Sequence, residues 1–391
     1  VNRRRLAIVL GLNQTMSWGM TFYLPAVVAT PAARDLGQTP FAILGAFTVA
    51  LLISGVLAPR TGRWIDRHGG KGALIASILV LSAGLGLLAL APNLIVWYAG
   101  WIVIGAGMPM GYYDAAFATV GALLGRESAR TITGITLLAG FASTVFWSFG
   151  SAVIGATGWR GLLGVYIGIM LCVNLPMVMM LVPSLYQSAR EKKQDVTAQA
   201  PVGRLQVACL AGFFTLRWFI TSAISVNILV LLRGIGLDAK EAVFVASLVG
   251  PGQVFGRVLE TTVGRRMGLL VRARLAALLF PLGACVLPAG GPVAAAAFAG
   301  FYGMSNGIMT INRGTLPLAL FGPNGYATIL GWFAVPVQLA QALAPIAAAP
   351  VVASLPALTV LLIAGGLGFL GCLLLLPLRL PPQEGSIPRK A

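Results

Sequence analysis

Apolar runs of about 20 residues or more recur along the chain, each ended by Gly, Pro or charged residues, and about twelve can be traced. As a helix, a run of that length crosses a hydrocarbon layer about 30 Å thick. The alternating segments of roughly ten residues that mark a membrane β-barrel are missing from the pattern. The predicted class is an all-α membrane protein with twelve transmembrane helices. Composition agrees, because 58% hydrophobic against 9% charged residues leaves too little polar surface for a water-soluble globule.

The net charge of +17 is the sort of excess that attracts nucleic acid. Its placement argues for a membrane instead. With the N-terminus inside, 22 of the 27 Lys and Arg fall at inner helix ends, beginning with Arg3, Arg4, Arg5, Arg60, Arg63, Arg67 and Lys71. The expectation is a multi-pass protein of a bacterial-type inner membrane, embedded in the lipid bilayer, with both termini cytoplasmic and no nucleic-acid partner. VNRRR and the run to about Val28 resemble a signal peptide, but the run exceeds an h-region of about 7 to 15 residues and reads as a retained first helix. Cys172, Cys209, Cys285 and Cys372 stand singly in apolar runs, which indicates neither disulfides nor a metal site. No ATP-binding loop and no catalytic constellation is present, so neither a cofactor nor an enzyme is expected.

One charged turn organises the chain: Gly62 to Lys71, GRWIDRHGGK, between the second and third apolar runs. Glycine there lets helices approach closely, an acid can sit at a neighbouring helix N-terminus, and basic residues hold the loop at an anionic surface. The turn has an echo, since Gly256-Arg257-Val258-Leu259-Glu260 and Gly264-Arg265-Arg266 repeat it half a chain later. Gly107 to Gly111 likewise recurs as Gly303 to Gly307. The turn resembles the G-x-x-x-D-R-x-G-R-R/K loop of the major facilitator superfamily, and the resemblance covers essentially the whole chain. It implies two pseudo-symmetric six-helix halves with substrate near the midplane between them. The boundaries are then residues 1–183, a cytoplasmic linker 184–204, and residues 205–391 with a short cytoplasmic tail. In the echo, Glu260 is the counterpart of Asp66.

Candidate site residues are the polar groups that lipid penalises. Asn13, Gln14 and Trp18 can share one face of the first helix, either to bind substrate or to bond other helices. In the fourth run, about Leu94 to Leu124, Tyr112 and Tyr113 precede an embedded carboxylate, Asp114. Trp101 stands where many proton-coupled exporters of the superfamily carry an Arg, and the Gly-Pro-rich fifth helix of the antiporters has no match. Gly158-Trp159-Arg160 resembles a tripeptide of oxalate/formate and monocarboxylate-type transporters. Arg217, in the seventh run, is the deepest cation and suits an anion. Arg257 aligns either with the substrate-linked Arg of monocarboxylate transporters or, through the internal repeat, with Arg63 at the mouth. Tyr302, Ser305 and Asn306 sit at helical spacing in the tenth run, near Arg313. Asp114 and Arg313 lie at similar depth in opposite halves, with opposite charge, so they are expected to pair.

The expected function is secondary transport of a small organic anion by alternating access, with protons as a candidate coupling ion. Arg217, Tyr112, Asn13, Trp18, Tyr302 and Asn306 are the candidate substrate residues. Asp114, Arg313, Arg257, Asp66 and Glu260 are the candidates for coupling or gating. The alternative is a proton-driven exporter of drugs or other amphipathic or cationic compounds.

Overall fold

The structure is a computed structural model that describes residues 2–184 and 203–380. Most of the expected linker and tail lies outside these residues. Among the described residues there is no strand, and the helices make twelve passes. α1 joins Arg3–Ser17, a π turn at Trp18–Phe22 and Pro25–Asp35. α2 is Pro40–His68, α3 is Gly70–Ala89, and α4 is Leu94–Gly111 followed by Tyr113–Leu124. α5 starts as Ala129–Ala139 and continues into Ala142–Ile169, which breaks at Gly158 (φ 71°, ψ 176°). Beyond that break, α6 runs on through Met170–Asn174 to Leu175–Leu181. α7 is Arg204–Gly234, and α8 is Ala239–Ser247 with Val249–Thr262. α9 is Leu269–Val286, α10 is Gly291–Phe321, α11 is Tyr326–Ser354 and α12 is Ala357–Leu374.

Among the described residues nine stretches are long and apolar enough to cross a membrane, and one of them, Ala129–Leu181, is the α5–α6 pair. α1 and α10 are outside that set, and their sequences say why. Asn13, Gln14 and Thr15 interrupt one, while Ser305, Asn306, Asn312 and Arg313 interrupt the other.

Contacts between turns define two ends of the bundle. At the near end Arg3 pairs with Glu127 after α4, the end of α2 meets the start of α11, and Arg274 at the start of α9 donates to the carbonyls of Leu375, Leu376 and Leu378 beyond α12. At the far end Arg160 bonds the carbonyls of Ala89 (3.1 Å) and Ala91 (2.8 Å), pairs with Asp35 and lies over the Trp159 ring. One guanidinium thus ties α6 to the ends of α1 and α3.

Lipid is as apolar as leucine, so helices in it associate through close packing and buried hydrogen bonds more than through water exclusion. The packing repeats between the halves. Gly105 of α4 lies on the backbone of Ala50 in α2, and Gly303 of α10 lies on the backbone of Val249 and Gly252 in α8. A Cβ at either place would meet backbone. The structural counterpart of Gly303 is therefore Gly105, whereas the sequence echo pairs Gly303 with Gly107, which faces Leu81 of α3. Arg257 is buried inside the bundle, whereas Arg63, its match in the sequence echo, is exposed.

Arg160→Ala is expected to destabilise the fold by about 1–3 kcal/mol, and Arg160→Lys to recover only part, since an ammonium cannot reproduce the guanidinium fork. Thermal unfolding of the detergent-purified protein checks both.

Candidate functional site

The two halves meet most closely at the near end. Ser54, Ala58 and Gly62 recur every four residues on α2 and form one small-residue face. Gly62 packs directly on the backbone of Ala327 and Thr328 in α11, and Gly331 packs on Ala58 and Pro59. Asp66 then accepts from the backbone N–H of Ala327 (3.1 Å) and of Thr328 (2.8 Å), and from the Thr328 hydroxyl (2.6 Å). A carboxylate in the first turn of α11 meets both unpaired N–H groups and the positive end of the helix dipole. Deeper in, Arg313 of α10 makes a bidentate pair with Asp114 of α4, at 3.0 and 2.7 Å, and stacks over Trp218. The structure brings together the two charges that the sequence matched by depth.

Glu260 does not do in the second half what Asp66 does in the first. It pairs with Arg272 of α9 at 2.6 Å, inside its own half, because that cation at the start of α9 lies within hydrogen-bond reach. The sequence echo is therefore not an echo of contacts.

The Asp114–Arg313 pair lines a cleft that it shares with residues of α1, α2 and α11. One wall is aromatic: Trp18 and Phe22 of α1, and Tyr112 and Tyr113 of α4. The other is α11, which contributes Ala327, Gly331, Ala334, Gln338 and Gln341. The aromatic wall is fixed from behind. α4 breaks at Tyr112 (φ −82°, ψ −170°), and Gln14 donates to the Gly111 carbonyl at 2.6 Å. Gln14 in turn accepts from the Trp18 indole N–H (3.2 Å), and Thr21 bonds the Tyr112 hydroxyl (2.7 Å). Asn13 is buried behind this wall, donating to Asn174 of α6 at 3.0 Å. Of the six expected substrate residues, Trp18 and Tyr112 line the cleft.

Arg217, Tyr302 and Asn306 are brought together elsewhere. Arg217 is 6% exposed and donates to Ser305 and Asn306 of α10, with the Phe280 and Tyr302 rings beside it. The Tyr302 hydroxyl donates to the Thr221 carbonyl. Arg217 thus faces the interior of the second half, between α7, α9 and α10, and does not line the cleft. The reason is its register on α7, where the neighbouring Ser222 takes the α11 side by donating to the Gln341 carbonyl.

Arg257 differs in place. It is 3% exposed, its guanidinium lies against Gly140 of α5 across the interface, and its Nε and Nη1, like those of Arg217, have no hydrogen-bond partner. Phe22, Ser54 and Met108, which line the cleft, were not among the expected residues. Two of them had a signal in the sequence: Phe22 is four residues from Trp18, and Ser54 heads the small-residue face of α2.

The family model described as Major Facilitator Superfamily matches residues 7–345. The chain belongs to the major facilitator superfamily. Membership makes it a multi-pass membrane transporter and not an enzyme. Solved structures share the superfamily fold. The human organic anion transporter MFSD10 (TETRAN) matches with a TM-score of 0.73 at 15% identity, over 96% of this chain and 100% of that one. The E. coli fucose:proton symporter FucP matches with a TM-score of 0.69 at 16% identity, over 95% and 97%. In sequence, a multi-drug resistance efflux pump PmrA homolog of Lactococcus lactis subsp. lactis (strain IL1403) is 28% identical over 92 residues. That match covers 24% of this chain and 21% of the relative.

Because Asp114 and Arg313 are each other's partners across the halves, Asp114→Arg and Arg313→Asp singly are expected to lower transport by about tenfold or more, a loss of roughly 1.4 kcal/mol. The double swap is expected to restore a substantial part. Transport by the three variants in proteoliposomes checks this, and a swap as poor as the singles counts against the pairing.

Proposed function

We propose that the chain moves a small organic anion across the membrane by alternating access, and that the anion meets Arg257. The single observation that carries this reading is a guanidinium buried between the halves with two N–H groups unpartnered. A charge held there without an acceptor is costly, and an anion that accepts from its free N–H groups relieves the cost through charge-assisted hydrogen bonding. The human protein of similar fold is an organic anion transporter, which is consistent with it, at an identity that speaks for fold alone.

In this reading the halves 1–183 and 205–391 rock about the cleft. Asp66 and the Asp114–Arg313 pair hold the near end shut, and Glu260 with Arg272 steadies the second half beside it. Separation of Asp114 from Arg313 opens that end, and the proton is the proposed coupling ion. Arg3, Arg4, Arg5, Arg60, Arg63 and Arg67 favour a near end, with both termini, on the cytoplasmic side of an inner membrane. The second reading, an exporter of amphipathic or cationic compounds, draws on the aromatic wall and on the short match to the efflux pump homolog. It leaves Arg257 without a purpose.

Labelled carboxylate uptake into proteoliposomes separates the two. Arg257→Gln is expected to cut uptake by about 100-fold, the equivalent of roughly 2.7 kcal/mol, while Arg217→Gln changes folding yield more than transport per folded molecule. Uptake unchanged in Arg257→Gln would overturn the assignment.

A further inference from the structure

We infer that the second half binds a small monovalent inorganic anion, such as chloride, at the buried guanidinium of Arg217. The ion is a resident of that half and not the cargo, so the inference stands apart from what the transporter carries.

Charge comes first. Arg217 lies near the middle of α7, with roughly 20 Å or more of helix on either side, so its side chain cannot snorkel to a headgroup or to bulk water. It is 6% exposed, and its Nε and Nη1 have no hydrogen-bond partner. The groups that do bond it are neutral. Its Nη2 donates to Ser305 Oγ at 3.2 Å and to Asn306 Oδ1 at 2.5 Å. The Asn306 oxygen is shared with the Thr221 hydroxyl at 3.2 Å, and Ser305 itself donates to the Ala276 carbonyl at 2.8 Å. Of the embedded acids among the described residues, Asp114 is taken by Arg313 and Glu260 by Arg272. A guanidinium keeps its proton in proteins, and a buried charge served only by neutral acceptors is costly. An anion that accepts from the free N–H groups supplies both the missing charge and the missing acceptor.

The place of Arg217 says which kind of anion. Its partners come from α10, and the Phe280 ring of α9 and the Tyr302 ring of α10 lie 5.4 and 5.9 Å from its Cζ. α7, α9 and α10 belong to one half, so motion of the halves against each other leaves these contacts intact and the ion stays through the cycle. Arg257 differs in this respect, since it rests on α5 of the other half. The Tyr302 ring is held in place by its hydroxyl, which donates to the Thr221 carbonyl at 3.1 Å. Flanked by two rings and outside the cleft, the guanidinium suits a single-atom anion better than an acid with a carbon tail.

Thermal unfolding of the detergent-purified full chain tests this in sodium chloride, sodium bromide and sodium gluconate at equal ionic strength, for wild type, Arg217→Gln and Arg257→Gln. Chloride and bromide are expected to raise the wild-type Tm by about 3 °C or more over gluconate, with saturation. The increment should persist in Arg257→Gln and vanish in Arg217→Gln. Equal Tm in the three salts for wild type would overturn the inference. So would an increment that survives Arg217→Gln, and one that survives there but is lost in Arg257→Gln would place the ion at Arg257 instead. Should Arg217→Gln fail to fold, wild-type crystals grown in bromide give a second reading. An anomalous-scattering peak within hydrogen-bond reach of the Arg217 guanidinium is expected, and no peak there would overturn the inference.

Discussion

The backbone approach of α2 to α11 at Gly62 governs how the two halves meet. It brings Asp66 onto the first turn of α11, and it sets the distance at which α4 and α10 face each other. A larger residue at Gly62 would meet the Ala327 carbonyl and hold the halves apart. With them would go the Asp114–Arg313 pair and the floor of the cleft. The closure is built from few, specific polar contacts on a small-residue face. Such an interface can be released, because no large apolar area has to be exposed to separate it.

The same economy governs the polar groups elsewhere in the bundle. Lipid offers them no hydrogen bonds, so many are satisfied by a neighbouring helix. Gln14 takes the carbonyl that the break in α4 sets free, and Arg274 takes the carbonyls beyond the end of α12. Arg217 is served in part by Ser305 and Asn306. Arg257 stands apart as a cation placed between the halves, where motion of one against the other changes its surroundings.

Much of this was legible in the sequence. The twelve passes follow from apolar run length, and the meeting of Asp114 with Arg313 follows from opposite charge at similar depth. The direction of Arg217 was not legible, for a physical reason. α7 is apolar on its lipid face and on much of its protein face alike, so periodicity does not say which way an embedded side chain points. Its polar residues also fall on two faces, with Thr221 bonding α10 and Ser222 bonding α11. The echo of Asp66 in Glu260 misled because similarity of sequence says nothing of a competing cation, here Arg272, twelve positions on. Register was off by two at Gly107 because glycine is frequent in this chain and the contact that matters, on Ala50, belongs to Gly105.

Opening of the near end on substrate binding, and its closing on release, can be read as a distance between the ends of α2 and α11. Spin labels at Arg63→Cys and Asn324→Cys, in a chain whose four native cysteines are replaced, report that distance by double electron–electron resonance. A single short distance is expected without ligand, and a second, longer population when a small carboxylate is added. A distance distribution unchanged by ligand would contradict alternating access through this end.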